Sequence, residues 1–500
     1  MQSLWLDRES LPPTDAFVPG SAYDTVVVGA GLTGLCTASL LAAAGQSVLV
    51  LEARHLAAVT TGNTTAKLSA LHGSQVSNIA AHNSEQVARA YVEANVEGRE
   101  WMLRYCEDHA VPFQRRDAWT YATTQEGADK VQREYDACRQ AGLEVSLETE
   151  TELPFITLDA IRLADQAQFD PLDVVQSLAA EVQAHGGLVV EHISVTDVST
   201  ASDGVEVSTV AGPVHADRVV LATGTPILAE GAHFARLAPL RSYAMAFTVP
   251  GPIPQGMYLS LDQPTRSLRT APSTQGEQLL VGGNGHPVGR ESSPRARLRE
   301  LQDWTEEHFP GAVRTHAWSA QDYQSLDYAP DVGPIVPGDE HVFVATGFNK
   351  WGMTNAVAAS LALSGLLLGG QMHWAETLYR RPVTLADAPE AIKLNVGVGA
   401  QLAKDWLGQA LRGAPEHPPA EGEGGVHRDG LRPVAVCTVD GVTSRVSGVC
   451  THLGGVLAWN DAEQSWDCPL HGSRFTHDGK RLEGPALRDL DPVVDDSPAR

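Results

Sequence analysis

The run Tyr23-Asp-Thr-Val-Val-Val-Gly-Ala-Gly-Leu-Thr-Gly-Leu, continuing as an Ala/Leu-rich stretch to Ala44, constrains this chain more than any other segment. A β-branched strand enters a glycine turn and leaves it as a helix. Gly45 stops that helix, and Ser47-Val-Leu-Val-Leu-Glu52 reads as a second, parallel strand. Gly29, Gly31 and Gly34 stand in G-x-G-x-x-G spacing inside this βαβ opening. The first glycine makes the turn, the second lets backbone approach a pyrophosphate, and the third lets helix pack on strand. The helix N-terminus then offers its N–H groups to the phosphates. Glu52 ends the next strand, at about the 20-residue spacing where a carboxylate accepts from a ribose hydroxyl. That acid disfavours a 2′-phosphate, which leaves FAD or NAD. The plain alternative is a turn that only packs helix on strand.

Two later stretches decide between the dinucleotides. Asp217 to Ala222 reads as a buried strand ending at Thr223-Gly224, and His341 to Ala345 as another ending at Thr346-Gly347, with a β-rich insertion from Leu237 to His316 between them. This spread resembles the glutathione-reductase-like FAD-binding fold, an α/β class with a β-rich substrate domain. Members of that fold that use a pyridine nucleotide carry a second G-x-G-x-x-G. Gly282-Gly-Asn-Gly-His-Pro lacks both the spacing and the following helix, so FAD is expected and a nicotinamide site is not.

Over about residues 22–370 the chain resembles the D-amino-acid oxidase and glycine oxidase family of flavin amine oxidoreductases, γ-glutamylputrescine oxidase included. The likeness rests on Val26-Val-Val-Gly-Ala-Gly-Leu-Thr-Gly, Leu51-Glu-Ala and Thr60-Thr-Gly-Asn-Thr-Thr-Ala-Lys67. It implies that Thr61 and Thr65 pass the isoalloxazine edge, that Val195 touches adenine through its backbone, and that Thr223 and Gly224 border the cofactor. It also implies that Gly347, Gly352, Met353 and Thr354 open a last helix (Thr354 to Leu368) whose positive end faces the flavin N1/C2=O edge. Asp327-Tyr-Ala-Pro330 and Asp331-Val-Gly-Pro-Ile335 both approximate the family's C-terminal flavin motif. No Cys or His stands in the Thr60–Lys67 segment as an anchor, so the FAD is expected to be non-covalent. Arg269 falls where family members often present a carboxylate-binding arginine, although a solvated arginine at a strand end reads equally well. Tyr243, Tyr258, Trp318 and Trp351 are candidates either for the flavin face or for the core, and Lys350 for the reduced flavin or for solvent.

Near the C-terminus, Cys450-Thr-His452 and Cys468-Pro-Leu-His471 each offer one thiolate and one imidazole. Two such loops can hold one iron by sulfur and the other by nitrogen, the Rieske arrangement. Structural zinc sites pair C-x₂₋₄-C with H-x₃₋₅-H, which these spacings do not fit. Cys450-Thr-His-Leu-Gly-Gly455 and Cys468-Pro-Leu-His-Gly-Ser-Arg-Phe475 resemble Rieske loops residue by residue. Respiratory-chain Rieske proteins add a disulfide between the loops. Those positions here are Gly455 and Leu470, so the likeness is to disulfide-free Rieske ferredoxins and oxygenase components, at the low end of a roughly −150 to +300 mV span. A Rieske oxygenase would also need a mononuclear iron with two closely spaced histidines and a carboxylate. Only His185/His192 and His308/His316 approach that, at poor spacing. Cys437, outside both loops, reads as a buried structural thiol.

The organisation that follows is a lead-in (1–22), an FAD-dependent oxidoreductase (23–370) with substrate-domain insertions at about 86–150 and 236–325, a connector with a helix near Gly399 to Leu411 and a Pro/Gly/Glu linker ending at Gly425 (371–425), and a small all-β Rieske domain (426–500). A flexible linker would leave the two cofactors separable. With 500 residues the chain can bury several cores. Its net charge of −25 opposes nucleic acid and anionic membranes. Six cysteines make no disulfide framework, Met1 to Thr14 has no apolar signal core, and Ala356 to Leu368 is too short to span a membrane, so a cytoplasmic location is expected. The function expected is oxidation of a small amine or amino acid by hydride transfer to FAD, with single electrons leaving through a [2Fe–2S] cluster to an acceptor protein. A protein that only shuttles electrons between donor and acceptor proteins is the alternative.

Overall fold

A computed structural model describes residues 1–8, 14–201, 204–273, 276–381, 417–430 and 432–493. β1 (Ala22–Val28), α1 (Leu32–Ala43) and β2 (Val48–Leu51) form the expected βαβ opening. β1 pairs in parallel with β2 on one side and with Val214–Leu221 on the other. The sheet continues outward through Val342–Thr346 to the antiparallel edge strand Asp331–Pro334, and through β2 to Leu188–Val190. Val26 and Val27 are wholly buried, because a parallel sheet is covered on both faces and its strands read as unbroken apolar runs.

α1 is apolar all round because it is covered by other elements. It packs against Pro171–Ala184 and Gly352–Leu367, and Thr37 Oγ1 meets Ser360 Oγ across the latter contact at 3.0 Å. A second, nine-stranded sheet joins the strands of the β-rich insertion to Lys67–Leu68, Phe113–Ala122, Ser146–Glu148 and Asp159–Phe169, with Leu237–Thr248, Gly276–Pro287 and Arg266–Ser273 as neighbouring strands.

The C-terminal domain is two small antiparallel sheets, one of Gly424–Asp429, Arg432–Val439 and Val442–Ser447, the other of Ala458–Asn460, Ser465–Asp467, Arg474–Thr476 and Arg481–Glu483. Cys437, Trp466 and Phe475 are fully buried in its core. The expectation that a linker runs to Gly425 is corrected: Gly425 pairs with Val436 inside a strand, and the Glu421 carboxylate already caps the Asp440 and Gly441 amides. The helix expected at Gly399 to Leu411, and residues 413–416 of the linker, lie outside the described residues. Among the described residues, no helix is long and apolar enough to cross a membrane.

Candidate functional site: a dinucleotide cavity beside paired Cys–His loops

The three glycines meet different obstacles. Gly29 has φ +107°, and a Cβ there would lie 2.6 Å from the Ala222 carbonyl oxygen. A Cβ on Gly34 would lie 1.9 Å from the Gly29 oxygen, so Gly34 sets the helix–strand contact and does not line the cavity. Gly31 faces the cavity with bare backbone, and a Cβ there would meet only Thr61 Oγ1, at 3.1 Å. That hydroxyl accepts from Leu32 N at the start of α1. Glu52 closes the turn: its Oε2 accepts from Ala30 N at 3.0 Å and its Oε1 from Arg54 N at 2.9 Å.

A cavity of about 600 Å³ runs from this turn towards the second sheet. Gly29, Gly31, Glu52, Thr61, Thr65, Val195, Thr223, Gly224, Gly347, Gly352 and Met353 all line it, although they come from segments hundreds of residues apart. Thr354 stands behind the wall, its hydroxyl turned to Ser69 O and His72 Nε2. Of the aromatic candidates, Tyr243 and Trp351 reach the cavity. Trp318 instead packs beneath the Thr60–Lys67 loop, donating to Asn63 O, and Tyr258 stacks on Trp119.

Arg269 requires a correction. It is only 1% exposed, lies outside the cavity lining, and donates to the carbonyls of Thr65, Ala66 and Phe169. Its Nε and Nη1 are spent on main-chain carbonyls and its Nη2 is buried without a partner, so the side chain braces the loop from behind the cavity wall and turns no fork towards a substrate carboxylate. Lys67, the residue after Ala66, reaches the cavity. Its Nζ donates to Tyr258 O and Ser267 Oγ, both at 2.6 Å, and no carboxylate among the described residues pairs with it. Burial first, and the Arg269 charge second, push its pKa down to about 7. His72 stacks on Trp351 and has both ring nitrogens engaged, by Tyr91 Oη and Ser69 O. Burial holds it neutral, its pKa lowered to about 3.

The two Cys–His loops share one geometry. Cys450 N donates to Gly455 O and Gly454 N to Cys450 O; Cys468 N donates to Ser473 O and Gly472 N to Cys468 O. Gly454 and Gly472 both take positive φ at equivalent places. Both cysteines are buried, and their thiols are hydrogen-bonded, which lowers the pKa of Cys450. The rings of His452 and His471 lie 5.1 Å apart, and burial lowers the pKa of both, so the imidazoles are neutral, as metal ligation requires. His452 Nδ1 is buried without a partner. Cys450 and Cys468 touch each other as His452 and His471 do, and two sulfurs with two imidazoles are the donor set of a pair of irons. Gly455 and Leu470 face each other, Leu470 filling the space where the loop-bridging disulfide is missing.

This domain is tied to the larger one. The Phe234 ring stands edge-on to His452 and His471, at 5.4 and 5.1 Å. Arg241, 1% exposed, forks onto Glu463 at 2.6 and 3.2 Å. Gln321 Nε2 donates both to Tyr323 Oη in the cavity wall and to Gly472 O, the residue after His471. None of Phe234, Arg241, Gln321 or Glu463 emerges from sequence reasoning. The one available signal was a charged residue, Arg241, inside the apolar strand Leu237–Thr248.

A nucleotide-cradling sheet joined to a paired Cys–His domain defines a flavin oxidoreductase with a Rieske centre. Residues 24–366 match the FAD dependent oxidoreductase family and 419–493 the Rieske [2Fe-2S] domain; the chain belongs to that oxidoreductase family, and its two domains bind FAD and a [2Fe–2S] cluster. Along 98% of its length it is 29% identical to YhfW of Bacillus subtilis (strain 168), a protein named for a Rieske 2Fe-2S centre, covering 97% of that chain. Over 80 residues, 16% of this chain and 36% of the other, it is 38% identical to the cytochrome b6-f complex iron-sulfur subunit of Trichodesmium erythraeum (strain IMS101). Among solved structures, glycine oxidase from Geobacillus kaustophilus superimposes with a TM-score of 0.62 at 21% identity, over 72% of this chain and 98% of that one.

Proposed function

We propose that the protein oxidises a small amine or amino acid at the carbon beside nitrogen, by hydride transfer to non-covalent FAD, and releases the electrons singly through the Rieske cluster. When bound, FAD supplies a two-electron acceptor and the [2Fe–2S] cluster a one-electron carrier. The observation behind this reading is the connection Tyr323–Gln321–Gly472, which joins the cavity wall directly to the loop of His471.

The chain's own residues have three tasks. Gly31, Thr61 and Glu52 border the dinucleotide end, while Leu259, Leu261 and Trp351 make the far end apolar and restrict water. Lys67 is a buried cation without a carboxylate partner, suited to hold the carboxylate of an amino acid. Arg269 fixes the loop that carries it.

Anaerobic mixing with a panel of amines and amino acids tests the reading. Flavin absorbance should bleach with a carboxylate-bearing amine, and the cluster should be reduced afterwards. Cluster reduction that precedes flavin reduction, and only with a protein donor, would replace this activity with electron shuttling.

A further inference from the structure

The cavity holding the glycine turn has a wall from the other domain. Arg481, Leu482, Glu483 and Gly484 line it together with Glu52, Val195 and Thr223. Arg481 belongs to the outer strand Arg481–Glu483 of the Rieske sheet. Its Nη2 donates to Ser194 Oγ at 2.7 Å, beside Val195, and its Nη1 to Ala486 O at 3.3 Å. No carboxylate among the described residues lies within ion-pair distance of its guanidinium. A half-buried arginine normally has such a partner, since an unpaired cation out of water is costly. Glu483, two residues on, adds no free negative charge, because Arg474 pairs with it at 2.7 Å.

A dinucleotide in this cavity carries two phosphate charges and an adenosine. Beyond the amides of α1 and the nearby Arg54, Arg481 is the cation that faces this end. We propose that Arg481 is an FAD-binding residue supplied by the Rieske domain, its guanidinium recognising the adenosine-diphosphate end of the cofactor from across the domain interface. FAD is then bound between domains, and its affinity depends on the Rieske domain being docked. This replaces the sequence-based expectation that the two cofactors are separable.

The test uses full-length, cluster-loaded protein from which flavin has been removed. FAD is titrated back and followed by its fluorescence, and the cluster by its visible and EPR spectra. Arg481→Gln should raise the FAD dissociation constant about tenfold, the loss of one charge-assisted contact, with the cluster spectra unchanged. Arg481→Lys should restore part of the affinity, and Arg488→Ala, an exposed arginine of the same domain, none of the loss. Independently, FAD added to the wild-type apoflavoprotein should slow amide exchange in residues 481–484. An FAD affinity within about twofold of wild type in Arg481→Gln overturns the proposal, as does unprotected exchange at 481–484. Should Arg481→Gln lose its cluster, Arg481→Lys and the exchange measurement still decide. A Glu52→Ala protein that loses FAD while Arg481→Gln keeps it would leave the dinucleotide site standing and remove only its second wall.

Discussion

Glu52 and Lys67 bring a carboxylate and an ammonium to the cavity wall. Glu52 sits at the turn with both oxygens already on main-chain amides, which fixes its orientation and leaves lone pairs for a ribose. Glu52→Ala should weaken FAD by about 1.5–3 kcal/mol, roughly tenfold to over a hundredfold, read as a fluorescence-titrated dissociation constant with the cluster spectrum unchanged. Lys67 is a cation of the cavity wall whose pKa burial and the Arg269 charge lower to about 7. Its ammonium is present below that pH and lost above it, so KM for a carboxylate-bearing substrate should climb as pH rises past about 7, and Lys67→Met should abolish the dependence. Stability runs the opposite way. Between about 7 and the ordinary lysine value the unfolded chain binds more protons than the folded one, so native stability rises with pH across that window. Thermal melts of wild type and Lys67→Met against pH should show the mutant's advantage growing on the acidic side.

The βαβ opening succeeds or fails on one close approach. Because a Cβ at Gly34 would fall 1.9 Å from the Gly29 oxygen, Gly34→Ala must push α1 off β1. Overpacking of this kind costs about 1–3 kcal/mol or more, and here it also shifts the amides that border the dinucleotide. Lower Tm together with substoichiometric flavin is the expected result, whereas Gly45→Ala, which meets no neighbouring atom but is strained at φ +87°, should lower Tm and keep full flavin content. The Cys–His loops depend less on space than on their repeated main-chain bonds, which place each cysteine and its following glycine alike.

The docking of the two domains is an electrostatic lock of few parts. Arg241 and Arg474 share Glu463, whose pKa they lower to about 2 against the opposing effect of burial. Arg241→Ala leaves Glu463 with Arg474 alone and removes the charge-assisted fork across the interface, so it should cost about 1.5–3 kcal/mol of docking. Small-angle scattering should show a more extended particle. In cluster-free Cys468→Ser, substrate should still bleach the flavin at a near-normal rate while turnover with a one-electron acceptor falls. Stopped-flow absorbance at the flavin bands separates the two effects.

What the sequence by itself determined is whatever is local. G-x-G-x-x-G with Glu52 names a dinucleotide turn because the glycines, the helix and the acid all fall within one short βαβ stretch, in which Gly34 answers to the Gly29 carbonyl. The two Cys–His loops name a cluster because ligand type and spacing are written in short segments. Only the tertiary structure decided the rest, because those properties arise between distant segments. Arg269 looked like a substrate ligand from its strand position, yet the carbonyls of Thr65, Ala66 and Phe169 occupy it from loops far along the chain. Lys67 took over the cavity-facing role by the way its loop folds beneath Ser267. The linker suggested two independent bodies, but linker composition reports only on the connecting chain. Whether the bodies dock depends on surface complementarity, here the Arg241–Glu463 fork, the Phe234 edge against two histidines and the reach of Arg481 to Ser194, none of which leaves a periodicity or motif to read.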